Sequence, residues 1–227
     1  MKLTNETLTI LKNFASINQN IEFKEGSEIA TMAPSKTVIA KATLNVEFPQ
    51  SFCVYDLNEF LSVANMYKDS LELDFDESNI IFKDNSSQIR FRKTEKSNIV
   101  TLPENKQITF NDPEISFNLP ESVFANIMKS ASILSSPHIG IKSNGQDIHG
   151  ICFSADDSSQ HNYDTFICTH SEQLNKFTAV FSTENIKMLP GNYEVEISSN
   201  GIAHFKNEKD SVEYWIALEA KHSNFGE

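Results

Sequence analysis

Residues 70–76 read Ser-Leu-Glu-Leu-Asp-Phe-Asp, which puts Leu71, Leu73 and Phe75 on one side of an extended chain and Glu72, Asp74 and Asp76 on the other. A period of two marks a strand with one face buried and the other in water. Gln88 to Arg92 repeats it, with Ile89 and Phe91 opposed to Arg90 and Arg92. Working outward, the same pattern predicts strands at 20–25, 27–33, 36–43, 50–55, 79–83, 114–118, 137–143, 146–154, 162–169, 176–182, 192–198, 202–207 and 212–219. Only 7 glycines and 7 prolines punctuate them. Antiparallel strands dominate the chain.

Four segments change to a helical period: 5–17, 57–68, 120–135 and, briefly, 183–188. Each has a start signal. Thr4 and Asp56 can accept backbone N–H groups, Asp56 with Glu59 has capping-box spacing, Pro120 suits a first helical position, and Ser182 precedes the last segment. At about 100° per residue, Leu8, Ile10, Leu11, Phe14, Ala15 and Ile17 share one half of the first helix. Asn5, Thr9, Lys12, Asn13 and Ser16 fill the other half, with Glu6 at its edge. The segment at 120–135 repeats this, turning Val123, Phe124, Ile127, Met128, Ala131 and Leu134 inward and Ser122, Asn126, Lys129, Ser130 and Ser132 outward. In 57–68 the exposed arc is Asn58, Ser62 and Asn65, ending in Lys68.

Each helical segment carries one Glu in its first turn (Glu6, Glu59, Glu121, Glu184) and one Lys farther on (Lys12, Lys68, Lys129, Lys187). The helix dipole is enough to account for those charges, at about 0.3–1 kcal/mol each. It does not account for the short amides and hydroxyls between them, because exposed helix faces ordinarily carry strong helix formers. Neutral polar groups around an isolated lysine suit a surface that meets phosphates loosely, without gripping base edges.

The whole chain limits what that surface can be. In 227 residues there are 19 basic and 31 acidic side chains, a net charge of −12, so neither a uniformly basic nucleic-acid coat nor a membrane-surface protein fits. A hydrophobic fraction of 39% with 17 Phe supports a folded core. No apolar run approaches the roughly 18 residues of a membrane span, and Asn5, Glu6 and Lys12 interrupt any signal-peptide stretch. Cys53, Cys152 and Cys168 make no disulfide framework. A cytosolic protein is expected.

The element order repeats: an N-terminal strand, a longer helix, several strands, a second helix and a three-strand meander describe residues 1 to about 93 and again 114–219, the second helix being shorter in the latter. Thr94 to Pro113 reads as a connector. Two domains are expected, 1–104 with the start of the connector and 105–227. They hold 11 basic with 15 acidic and 8 basic with 16 acidic side chains, so both halves are acidic.

Met1 to Ile17 (MKLTNETLTILKNFASI), Tyr55 to Leu61 (YDLNEFL), Met188 to Tyr193 (MLPGNY) and Tyr214 to Ala220 (YWIALEA) resemble, in joint order, the sliding clamps of T-even-type tailed phages. The resemblance spans nearly the whole chain, and its motifs are structural, none catalytic. It implies an α+β DNA-clamp fold of two similar domains, each with antiparallel sheets outside and two helices inside, assembled as a homotrimeric ring around duplex DNA. It further implies a processivity factor for the phage DNA polymerase in the cytoplasm of the infected bacterium, loaded by a separate clamp-loader ATPase and serving late-transcription factors. Lys12, Lys68, Lys129 and Lys187 would then face the hole, with Thr9, Asn13, Ser16, Asn126 and Ser130 as secondary contacts. Encirclement would need little net attraction, which accommodates an acidic chain.

Ring closure would pair edge strands head to tail, the candidates being Ser87–Lys93 and Asn162–His170, where Arg90 and Arg92 could meet Asp164. These residues could equally be solvated strand faces with partners such as Glu72 or Asp74 in their own domain. Family resemblance also implies a pocket for partner peptides. The matching residues are Ile99, Val100, Leu102 and Pro103 in the connector, Leu189 and Pro190 in a turn, and Ile216, Leu218 and Ala220 at the end of the last strand, although they could simply close an apolar core.

No phosphate-binding glycine loop or nucleophile elbow is present. His149, Cys152, Cys168 and His170 could be drawn as a zinc set but lack a Cys-x-x-Cys pair, and Asp74, Asp76, Glu77 and Asn79 lack the glycine of a calcium loop. No enzyme activity, metal or cofactor is expected. The alternative reading of the composition is an acidic, β-rich protein-binding or DNA-mimicking module that encircles nothing.

Overall fold

The computed structural model describes residues 1–67, 71–103, 110, 113–157, 161–207, 209 and 211–226. The chain divides into two compact units, Met1–Lys106 and Gln107–Glu227. The expected boundary after Glu104 falls in 104–109, outside the described residues.

In the first unit, helix α1 (Asn5–Ile17) starts where Thr4 Oγ1 accepts the Thr7 N–H (3.1 Å) and stops at extended Asn18, whose N–H returns to Phe14 O (2.9 Å). Strands β1 (Ile21–Phe23), β2 (Gly26–Met32), β3 (Val38–Phe48) and β4 (Phe52–Val54) pair antiparallel in the order β4–β1–β2–β3. Helix α2 (Leu57–Tyr67) opens on Asp56, whose Oδ1 accepts the N–H groups of Asn58 (2.9 Å) and Glu59 (3.0 Å). A meander of β5 (Glu72–Phe75), β6 (Asn79–Lys83) and β7 (Gln88–Arg92) follows. Phenylalanines fill the core: Phe23 stacks on Phe52 (4.5 Å) and Phe60 of α2 meets Phe82 of β6 edge-on (4.9 Å).

The second unit runs β8 (Ile115–Leu119), α3 (Glu121–Ile133), β9 (His138–Ser143), β10 (Asp147–Phe153), β11 (Tyr163–Thr169), β12 (Phe177–Ser182), β13 (Tyr193–Ser198), β14 (Ile202–Asn207), β15 (Val212–Ala217) and β16 (Asn224–Phe225). One sheet has the order β11–β10–β9–β12–β16; in the other, β15, β14, β13 and β8 are successive neighbours. Apart from β8, β16 and the lack of an α-helix matching α2 among the described residues, this is the first unit over again. The order β4–β1–β2–β3 recurs as β12–β9–β10–β11, and β5–β6–β7 recurs as β13–β14–β15.

Two expectations are corrected. Residues 1–4 form no strand; the counterpart of β8 is reduced to Met1, whose ammonium donates to Leu73 O (2.7 Å) and whose carbonyl accepts the Leu73 N–H (2.8 Å). The fourth helix, expected at 183–188, is a three-residue 3-10 turn, Thr183–Asn185, that ends where Ile186 leaves helical geometry (φ −83°, ψ 73°). Six residues before Pro190 cannot repay helix nucleation. Among the described residues the α+β fold therefore has three α-helices, two in the first unit and one in the second.

Candidate nucleic-acid interface

Helices α1 and α3 each bury an apolar stripe: Ile10, Leu11, Phe14 and Ile17 in one, Phe124, Ile127 and Ala131 in the other. α3 lies close to its sheet because β10 offers Gly150 beneath it, where a Cβ would stand 2.4 Å from Ile127 Cδ1. The stripes left outside are those the periodicity predicts. Thr9, Lys12, Ser16, Asn126 and Lys129 are exposed and Asn13 and Ser130 half-buried.

The side chains of Lys12 and Lys129 form no hydrogen bond or ion pair to a described residue. The acid nearest Lys12 on its helix, Glu6, is tied back to β3 by Asn45 Nδ2 (2.8 Å), so the stripe keeps its cation unopposed. Several hydroxyls are turned onto their own helix: Thr9 donates to Asn5 O (2.9 Å), Ser16 to Asn13 O (2.6 Å) and Ser62 of α2 to Asn58 O (2.7 Å). A hydroxyl that donates internally presents lone pairs outward. The faces therefore offer sparse positive charge among short neutral polar groups, an arrangement that attracts a phosphate backbone weakly and holds water in between. Lys187 is exposed just beyond the 3-10 turn, and Lys68 lies outside the described residues.

Each unit also presents an edge strand. The outer side of β5 is met by Met1, which leaves β7 as the open edge of the meander, and β11 ends the other unit's sheet. Arg90 and Arg92 are exposed on β7, and their side chains make no hydrogen bond or ion pair to a described residue. Asp164 on β11, their expected counterpart, is held within its own unit by Lys142 Nζ (2.5 Å) and His149 Nδ1 (2.7 Å). Partial burial opposes its ionisation, but those two hydrogen bonds prevail and keep its pKa below the usual aspartate value. Sequence reasoning missed Phe166, 52% exposed on β11, and Ile133, 70% exposed at the end of α3. A phenylalanine in register with Asp164 on the polar face was the available signal.

Of the expected pocket residues, Ile99 and Leu102 in the first unit and Leu189 in the second are half-buried; Val100, Pro103, Pro190 and Ala220 are exposed. Ile216 and Leu218 are corrected. At 0% and 9% exposure they belong to the core, Ile216 with no surface to offer and Leu218 with little. The apolar run at 214–218 hid which parity pointed inward.

Cys152 is buried, its thiol donating to Ile127 O (3.3 Å), and burial pushes its pKa up to about 11, so it is a thiol at neutral pH. His138, Asp156 and His222 bring ligand atoms within 4.8 Å of one another, but His138 Nδ1 already accepts the Ala155 N–H (3.1 Å) and Lys221 holds Asp156 (3.1 Å). A ring whose Nδ1 lone pair is so engaged keeps its proton on Nε2, which opposes metal ligation.

Residues 4–101 match the family model described as DNA polymerase processivity factor, and residues 127–220 match that described as gp45 sliding clamp, C terminal. A sliding clamp of Vibrio phage KVP40 is 31% identical over 97% of this chain and 100% of its own length. That of Escherichia phage RB69 is 32% identical, with 97% of both chains covered. A solved structure described as the C-terminal region of FEN-1 bound to A. fulgidus PCNA superposes with a TM-score of 0.70 at 16% identity over 96% of each chain, a likeness of fold.

Proposed function

Since the chain belongs to the phage sliding-clamp family of DNA polymerase processivity factors, we propose that three copies close into a ring around duplex DNA and tether the replicative polymerase to it. The single observation that carries this reading is the stripe on α1 and α3, where Lys12 and Lys129 have no ion pair to a described residue and stand among amides and hydroxyls on a chain of net charge −12. A surface so weakly cationic cannot hold a duplex by adhesion at physiological salt, since each phosphate neutralised adds to affinity and few are. It can line a hole through which the duplex slides.

In the ring, β7 of one copy pairs with β11 of the next, bringing Arg90 and Arg92 toward Asp164 beside its Lys142 and His149 partners. Lys187 and Lys68 add to the lining, with Thr9, Asn13, Ser16, Asn126 and Ser130 as its neutral contacts. Partner peptides dock on Ile99, Val100, Leu102, Pro103, Leu189, Pro190 and Ala220, by analogy with the peptide-bound PCNA. The chain itself performs no catalysis. A clamp-loader ATPase opens the ring, late-transcription factors use it as a mobile platform, and the setting is the cytoplasm of an infected bacterium.

The test is to replace Lys12 and Lys129 together by Glu. The expected result is an unchanged mass near three times 25.6 kDa by light scattering, with processive synthesis reduced by on the order of tenfold at moderate salt. A monomer at micromolar concentration, or unchanged processivity in the variant, would overturn the reading.

A further inference from the structure

The loop that ends α1 is joined to a segment eighty residues away by side chains instead of by a strand. Asn18 is 3% exposed; its Nδ2 donates to Met32 O (3.0 Å) and Val100 O (3.1 Å), and its Oδ1 accepts the Asn20 N–H (3.0 Å). Asn20 Oδ1 accepts the Val100 N–H (3.1 Å). Both main-chain groups of Val100 are thus taken by two asparagines, while its side chain stays 40% exposed. The second unit repeats the device at Leu189, whose N–H is accepted by the Tyr214 hydroxyl (3.2 Å) and whose carbonyl receives the Tyr193 hydroxyl.

We propose that Asn18 and Asn20 are positioning residues for partner docking, holding Ile99–Pro103 as a pre-ordered strap whose outward side receives an extended peptide with apolar side chains. The inference rests on the peptide-docking reading above and adds the atoms that hold the strap. Ile99 is extended (φ −128°, ψ 156°), and in an extended chain the polar groups of successive residues point to opposite sides. With the N–H and C=O of Val100 turned inward, continuation of the extended geometry turns those of Thr101 outward, and Thr101 makes no hydrogen bond to a described residue. The strap therefore pairs an exposed apolar side chain with main-chain groups that no described residue engages, the two features by which extended peptides are bound. Fixing it in advance removes an ordering cost from binding.

The experiment uses the full chain and three variants, Asn20→Ala, Asn20→Asp and Tyr214→Phe. Asn20→Asp keeps an acceptor for the Val100 N–H, and both Asn20 variants lose the 3.5 Å contact to Tyr55 O equally. The probe is a fluorescein-labelled peptide of the C-terminal residues of the DNA polymerase encoded by the same phage, read by anisotropy beside amide hydrogen exchange at Val100. Asn20→Ala is expected to speed exchange about tenfold and weaken the peptide about fivefold, with mass and urea midpoint retained, and Asn20→Asp to restore both. Tyr214→Phe should weaken the peptide without changing exchange at Val100. Unchanged affinity in Asn20→Ala, or no rescue by Asn20→Asp, overturns the inference and leaves the docking reading standing. A wild-type chain that ignores the peptide overturns both.

Discussion

Asn45 holds the start of α1 through three side chains: its Oδ1 accepts from Thr4 (2.7 Å) and Thr7 (3.0 Å), and its Nδ2 donates to Glu6. Thr7 is fully buried, and among the described residues its hydroxyl has only the Thr4 hydroxyl (3.0 Å) beside Asn45. Asn45→Ala is expected to cost about 1–3 kcal/mol in urea unfolding, the penalty of a stranded buried polar group, where a solvated contact would cost almost nothing. Asp164 is the complementary case, partly exposed and charged. Because its folded pKa lies below the ordinary value near about 4, the stability it lends is complete above that value and is lost as pH falls through the depressed one. Asp164→Asn should therefore lower stability at pH 7 by less than about 1 kcal/mol. Its unfolding midpoint should also fall less steeply than the wild type's in acid, and parallel curves would refute this.

The contact between α3 and β10 depends on an absent side chain. Gly150→Ala would drive a methyl against Ile127 and is expected to cost about 1–3 kcal/mol, while Ile127→Val, which removes the clashing Cδ1, should recover part of the loss in the double variant. Additive losses in calorimetry would show that α3 simply shifts. Elements with a sustained period were legible from sequence: α1 and the strands of both meanders lie where alternation or the apolar stripe puts them. β3 runs five residues beyond the strand expected at 36–43, and Leu44–Phe48 carries the same alternation. Other elements left no periodic trace. β16 has two residues, fixed by Phe225 stacking on Phe177, and the Met1–Leu73 exchange is a single pair of tertiary hydrogen bonds. The turn at Thr183 has the composition of a helix without the length of one. At the candidate site the exposure of Lys12 and Lys129 followed from helix phase, whereas the asparagine clasp on Val100 joins residues eighty apart and has no local signature.

For the whole molecule, the proposed ring places Phe166 at the seam, where an apolar ring on an open edge would be covered by the neighbouring copy. Phe166→Asp should raise the dissociation constant of the trimer by at least about tenfold while leaving a folded monomer, as judged by sedimentation and circular dichroism. An unchanged sedimentation coefficient under dilution would place the seam elsewhere. The acidic composition of both halves fits such an assembly, because enclosure, not attraction, retains the duplex. The two open edges belong to different units of one chain, so each copy brings one complementary end of each kind. A fragment carrying β7 alone would act as a terminator: it could occupy a neighbour's β11 but offer no onward end, poisoning closure in substoichiometric amounts while sparing rings already sealed.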